Sequence, residues 1–350
     1  MGSRSEHGRL AAKVPETLAG LLGVGLADLD VCPDERSGAD LVVTAGQTFV
    51  IECIKSTSAA PIAAATKKVQ ELIKRVRRRA VPLVAVPFMG AVGRRVCEEA
   101  GVGWLDLSGN AHIIAPGIRV IVEGRPNRFK AAGRPPNLFA PKSSRIVRWL
   151  LIHPGEPLSQ RELARATGLD EGFVSRLVAR LETEEYLLRD ENGAVYPKAP
   201  ALLLDAWREA SQFSRHTVHQ GHVAARSGDA LLRFVGDTLA EQGIAHAATG
   251  LAAAWALTRF AVFRIATVYM PTDPSPALLE RLGFREEPRG ANLWLVVPND
   301  TGVFQGASEK DGIRCVHPVQ VYVDLKDHPE RAAEAAERLR TELLTRTRDG

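Results

Sequence analysis

The chain has 350 residues, 45% of them hydrophobic and 25% charged, with a formal net charge of +4. That length is more than one ordinary core needs and predicts two or three soluble domains. No run approaches the roughly 18 apolar residues that span a bilayer, and the opening MGSRSEHGRL lacks the apolar stretch of a secretory signal, so a cytoplasmic protein with no membrane partner is expected. The four cysteines, Cys32, Cys53, Cys97 and Cys315, include no CxxC pair; they suggest neither a zinc ribbon nor a disulfide framework and read as small buried hydrophobes.

Residues 1–133 alternate helical and extended patterns. Helices are predicted near Val14–Leu22, over Ala63–Arg79 and over Gly90–Ala100, and strands at Leu41–Thr44, Thr48–Ile54, Leu83–Val86, Gly103–Leu107 and Ala111–Ile114, the last two joined across Ser108-Gly109-Asn110. Apolar strands beside amphipathic helices indicate an α/β sheet with covered faces. Lys67–Arg79 holds seven basic residues against Glu71 alone, and Arg125–Arg148 seven more with no acid. Clustered positive charge is the footprint of a polyanion partner, although the first run also suits a solvated helix face.

Asp40 opens one strand and Glu52-Cys53-Ile54-Lys55 closes the next. Two neighbouring carboxylates can hold Mg²⁺, and a nearby lysine can orient or deprotonate an attacking water. The order of elements and of Asp, Glu and Lys resembles the PD-(D/E)xK nuclease fold, which implies a catalytic set of Asp40, Glu52 and Lys55. That family spaces its Glu and Lys two apart, on one strand face. Here they are three apart and point to opposite faces unless the strand bulges or ends. An active Mg²⁺-dependent DNA endonuclease, an inactive nuclease-like domain and another α/β fold all stay open; on the second and third, no cofactor is needed.

Arg134-Pro135-Pro136-Asn137-Leu138-Phe139-Ala140-Pro141 reads as a linker into a second domain, residues 134–200. A helix is expected at Ser143–Ile152, ended before Pro154-Gly155. In Leu158–Leu188 (LSQRELARATGLDEGFVSRLVARLETEEYLL), apolar residues recur at helical spacing on both sides of Thr167-Gly168. Gly168 can take the positive φ that ends a first helix, and Asp170 can cap a second that exposes Glu171, Ser175, Arg176, Ala179 and Arg180. Tyr186–Arg189 and Ala194–Tyr196, joined across Asn192-Gly193, form a hairpin wing. This is the pattern of a winged helix-turn-helix. Arg176 and Arg180 are then the candidates to reach base edges, with Ser175 a further DNA-binding candidate on the same face, and Arg145, Arg148, Gln160, Arg161 and Arg189 those to hold the phosphates of double-stranded DNA.

A helix at Ala201–Phe213 opens a third domain, residues 201–350. It shows helices at Asp229–Gln242, Leu251–Thr258, Ser275–Leu282 and Pro329–Thr345, with strands at Ala245–Ala248, Ile265–Tyr269, Asn292–Val297 and Gln320–Val323. His216, His219 and His222 are expected on a polar helix rather than at a metal, because no carboxylate or cysteine lies nearby before Asp229.

The stretch Gly101–Glu123 with the following helix-turn-helix, together with Ala248–Ala254, His317–Leu325 and His328–Glu337, resembles the AbiEi-like type IV antitoxins and related winged-helix regulators. The resemblance implies a transcriptional regulator, often one that represses its own operon, and a C-terminal domain similar to a nucleotidyltransferase. The residues do not support transfer chemistry: the turn is Thr249-Gly250 rather than Gly-Ser, the Ile265–Met270 strand carries no acid, and Asp273 stands alone. A homodimer on a two-fold site, with a possible protein partner at the C-terminal domain, completes the expectation. The alternatives are a metal-dependent nuclease targeted by its winged helix and a non-catalytic adaptor.

Overall fold

A computed structural model describes residues 2–32 (side chains from Leu10), 39–74, 80–129 and 138–344. The chain forms two compact units: Met1–Pro135 with Thr183–Tyr186, and Pro136–Glu182 with Leu187–Gly350. It is a mixed α/β protein with a winged-helix region. Most of the expected linker and the arginine end of the Lys67–Arg79 run, residues 75–79, lie outside the described residues.

The first unit is a seven-stranded sheet whose spatial order follows the chain: β1 (Asp30–Cys32), β2 (Leu41–Ala45), β3 (Gln47–Cys53), β4 (Ala80–Val86), β5 (Gly103–Asp106), β6 (Ala111–Ala115) and β7 (Ile118–Val122). Strands β1 to β3 and β5 to β7 are antiparallel meanders, while β3, β4 and β5 run parallel. Helix α1 (Gly2–Leu22) covers one face with Leu10, Val14 and Leu18, packed on Val43, Phe49, Ile51 and Leu83. Helices α2 (Ala59–Ile73) and α3 (Ala91–Glu99) cover the other, over Val50, Val84, Val86 and Trp104. The two-residue period of β3 therefore sends Phe49 and Ile51 to α1 and Val50 and Glu52 to α2. Three cysteines are buried as expected, but Cys32 is exposed at the edge strand β1.

A buried carboxylate ties off the middle of this sheet. Asp106 is fully buried and accepts the backbone N–H of Met89 (3.1 Å), the N–H of Asn110 (2.9 Å) and the Asn110 side-chain amide (2.9 Å). Asn110 in turn bonds both backbone groups of Arg125 (2.8 and 3.1 Å).

The second unit begins with α4 (Pro141–Ile152), α5 (Gln160–Thr167), α6 (Glu171–Thr183) and the hairpin β8 (Leu187–Arg189) and β9 (Val195–Pro197). Helix α7 (Pro200–Ala210) leads into a mixed sheet of order β13-β10-β14-β12-β11-β16-β15. Its strands are β10 (Thr217–His222), β11 (Ala247–Thr249), β12 (Ala266–Tyr269), β13 (Arg285–Glu286), β14 (Leu293–Val297), β15 (Ser308–Lys310) and β16 (Ile313–Cys315). Its helices are α8 (Gly228–Glu241), α9 (Gly250–Thr258), α10 (Pro276–Leu282), α11 (Pro318–Asp324) and α12 (Ala332–Leu339).

Two expectations are corrected here. His219 and His222 lie on strand β10, with His216 just before it, rather than on a helix, because Thr217–Gly221 pairs with Leu293–Val297. Gln320–Val323 is helical rather than extended. Pro318 sits in the first turn, and His317 Nδ1 accepts the Val319 N–H (3.2 Å). That start fixes a helix which the β-branched run Val319-Gln320-Val321-Tyr322-Val323 does not favour, and burial of all five residues stabilises it.

Replacing Asp106 with alanine leaves three buried donors without their acceptor, and we expect a loss of about 2–4 kcal/mol in the stability of the first unit. Urea unfolding followed by Trp104 fluorescence measures it; a change under about 0.5 kcal/mol would show that water replaces the carboxylate.

Candidate nucleic-acid interface

The helix-turn-helix is assembled from local signals. Ser159 and Glu162 form a reciprocal capping box at the start of α5: the Glu162 N–H donates to Ser159 Oγ (3.2 Å) and the Ser159 N–H to Glu162 Oε2 (2.7 Å). Gly168 ends the helix at φ 66°, in the left-handed region that favours glycine. Asp170 Oδ1 then accepts the Phe173 N–H (2.7 Å) and starts α6. Val174, Leu177, Val178 and Leu181 turn inward. Glu171, Ser175, Arg176 and Ala179 are exposed, with Arg180 partly so. Gln160 and Arg161 stand at the N-terminus of α5, half-buried and exposed. Leu158 pairs with Val195 and adds a third, one-residue strand to the wing.

Three arginines expected on phosphates are engaged by acceptors within the protein. Arg189 donates to both oxygens of Glu182 (2.9 and 2.7 Å) and to the Gly193 carbonyl (2.7 Å), holding the wing hairpin against α6. Arg145 forms a bidentate pair with Asp300 (2.8 and 2.9 Å) and donates to the Thr167 carbonyl (3.3 Å). Arg148 is 3% exposed, and its guanidinium lies over the Trp207 ring at 5.0 Å. It gives two hydrogen bonds to Gln320 Oε1 (2.9 and 2.7 Å) and one to Gln305 Oε1 (3.2 Å). Helical spacing turned both Arg145 and Arg148 toward the domain that follows, and sequence alone could not say that a partner lay there.

Sequence reasoning also missed the buried group that Arg148 serves. Gln320 bridges two charges: its carbonyl oxygen takes Arg148, and its amide donates to Asp324 Oδ1 (2.7 Å). Asp324 Oδ2 accepts Thr249 Oγ1 (2.5 Å) and the Tyr269 hydroxyl (3.0 Å). His216 extends the chain. Its Nδ1 accepts the Asn299 N–H (3.1 Å), so Nε2 carries the proton toward Tyr269 (3.2 Å). Burial, with the Arg148 charge beside it, lowers His216 to about 4, and the ring stays neutral. Burial lowers Arg148 to about 10, still charged at neutral pH. Burial likewise raises Asp324 from 3.8 to about 6, against the three hydrogen bonds it accepts.

Asp40, Glu52 and Lys55 line one cleft of the first unit. Their pairing differs from expectation. Glu52, nearly buried, is met at Oε2 by Lys68 of α2 (2.8 Å), and Asp40 Oδ2 accepts the Cys53 N–H (2.8 Å). A catalytic cation would find two carboxylates, one neutralised by an ammonium and the other holding a backbone donor. Among the described residues no three His, Cys, Asp or Glu side chains come together to hold a metal. In the second unit, His219 Nε2 pairs with Asp273 (2.9 Å).

Residues 139–194 match the MarR family, and residues 199–345 match the family described as transcriptional regulator, AbiEi antitoxin, type IV TA system. The protein is an antitoxin-like, DNA-binding transcriptional regulator. No curated protein and no solved structure matches the chain. The regulator's Gly101–Glu123 stretch lies outside both matched regions, so the resemblance holds for the winged helix and the C-terminal domain. Among the described residues no helix is long and apolar enough to cross a membrane.

Asp324 gives the regulator a pH-dependent stability. Its folded-state value lies above its unfolded one, so between about pH 4 and 6 the folded chain keeps a proton that the unfolded chain has released. The contribution is complete below that window and is lost as pH rises through it. The difference in stability between wild type and Asp324→Asn should therefore move in favour of the wild type from pH 7 to pH 5, by roughly 1–3 kcal/mol. Thermal melts in matched buffers measure this; a flat difference would mean that Arg148 and the three donors keep Asp324 ionised throughout.

Proposed function

We propose that the regulator is a sequence-specific repressor that lays α6 in the major groove, with Arg176 and Arg180 reading base edges, Ser175 beside them, and Gln160 and Arg161 on the backbone phosphates. The observation that carries this reading is the capped, glycine-broken pair α5–α6, whose outer face presents Ser175 and Arg176 to solvent. Arginine bonded to guanine O6 and N7 is the commonest specific contact, worth about 1–3 kcal/mol of discrimination. Two copies would read two half-sites related by a two-fold axis, and the gene's own operon is the natural target of an antitoxin-like repressor.

We propose three domains, 1–133, 134–200 and 201–350, with no cofactor. The C-terminal domain is a nucleotidyltransferase-like scaffold used to bind a protein partner. In support, the β12 side chains that an acidic metal pair would need are Thr267 and Tyr269, engaged with His328 (3.0 Å) and Asp324. The N-terminal domain is a nuclease-like scaffold without cleavage activity. The β1–β3 meander, helix α2 and parallel β4 have the element order of that fold, while Lys68 and the Cys53 N–H each engage one oxygen of its carboxylates, Glu52 and Asp40.

The double variant Arg176→Ala/Arg180→Ala should lose about 1–3 kcal/mol for each base contact removed and relax the sequence preference. Fluorescence anisotropy on the duplex best bound by wild type tests this; unchanged affinity and preference would remove α6 as the recognition helix. Purified protein with Mg²⁺ or Mn²⁺ should leave plasmid DNA intact. Nicking that is abolished by both Glu52→Ala and Lys55→Ala would reinstate the nuclease.

A further inference from the structure

The end of α5 and the turn into α6 are held with help from outside the winged helix. The last turn of any helix leaves carbonyls without intrahelical partners, and these need donors from elsewhere. In this chain Arg145 of α4 donates to the Thr167 carbonyl (3.3 Å), and Gln305, from beyond β14, donates to that of Ala166 (3.5 Å). Arg145 keeps its orientation because its Nε and Nη2 are taken by both oxygens of Asp300. A planar guanidinium held in two parallel hydrogen bonds has its third donor direction fixed as well.

Asp300 is itself clamped. Its Oδ1 also accepts the Gly302 N–H (2.7 Å), and its side chain is 9% exposed. A Cβ on Gly302 would stand 2.7 Å from Arg145 Cγ and 2.9 Å from Arg148 Nη1, so backbone and guanidinium are in direct contact there. One residue past Thr167, Gly168 makes the left-handed break that sets the angle between α5 and α6. The contact therefore reaches the one backbone hinge on which the direction of α6 depends.

We propose that Asp300, acting through Arg145, is a positioning residue for DNA recognition: a side chain of the C-terminal domain fixes the angle at which α6 meets the base edges. This rests on the reading of α6 as the recognition helix. Base-edge hydrogen bonds tolerate little misplacement, whereas contacts to the regularly repeating phosphates survive a small tilt of the helix. Loss of the clamp should thus cost sequence preference more than general DNA affinity.

The test uses the full-length protein and two duplexes: one enriched from a random-sequence pool by the wild type, and a shuffled version of the same composition. Asp300→Ala removes the clamp. Arg145→Lys keeps the charge opposite Asp300 and loses the fork that also reaches Thr167, so it covers the case in which Asp300→Ala folds poorly. Each should weaken binding to the enriched duplex by about tenfold, with less than about a twofold change on the shuffled duplex at the same salt. Asp300→Asn, which retains one acceptor oxygen, should fall between. A variant that keeps the wild-type ratio between duplexes, or one that loses affinity equally on both, overturns the positioning role. A wild type that enriches no sequence overturns the DNA-recognition reading itself, and with it the proposal.

Discussion

The second unit depends on one arrangement of charge: a guanidinium from α4 and a carboxylate from α11, both buried, joined through the side-chain amide of Gln320. Neither charge could stay in a dry interior alone, since an isolated buried ion costs several kcal/mol even after relaxation. Gln320 satisfies both at once because its amide offers an acceptor at one atom and a donor at the other. Thr249 and Tyr269 supply the remaining donors to Asp324, and these lie on β11 and β12, in the middle of the sheet. The winged helix is thereby attached to the centre of the domain that follows it rather than to its surface.

Such a bridge is a poor source of net stability. Burial works against both charged forms, lowering Arg148 and raising Asp324, so apolar residues of similar size could hold the two domains together at least as well. What the polar bridge adds is direction. Arg148 and Arg145, three residues apart on α4, each find one acceptor geometry, on Gln320 and on Asp300, and together they fix the rotation of the helix as well as its position. For a regulator proposed to read DNA through a helix two elements away, rotation is the quantity that matters.

The winged helix was legible because its signals are local: the glycine at 168, the cap at 170 and the Asn192-Gly193 turn all act within four residues. The covered sheet of the first unit was legible for a similar reason, since Leu83–Val86 and Thr48–Ile54 are nearly continuous apolar runs. Sequence failed where a distant partner decides. Val319–Val323 has the composition of a strand but takes its structure from His317, Pro318 and burial on every side. His216, His219 and His222 have helical spacing, yet pairing with β14 makes them extended. Arg145, Arg148 and Arg189 carry the charge of phosphate ligands, and their acceptors, Asp300, Gln320 and Glu182, lie 155, 172 and 7 residues away. Lys68 was hidden in a basic run, and only the fold brings it across to Glu52.

The two sheets differ in when they can be completed. In the first unit every strand pairs with its neighbour in the chain, so the sheet can grow one strand at a time as the polypeptide leaves the ribosome at roughly 5–20 residues per second. The second sheet is shuffled, with β10 waiting for β14 and β11 for β16. The winged helix waits too, because Arg148 lacks its two bonds to Gln320 until α11 has been synthesised and has only Gln305 as an acceptor before then. Translation that stops before α11 would leave the Arg148 cation of α4 with Trp207 and Gln305 but without Gln320 and the carboxylate behind it, so a truncated product would hold α4 less firmly.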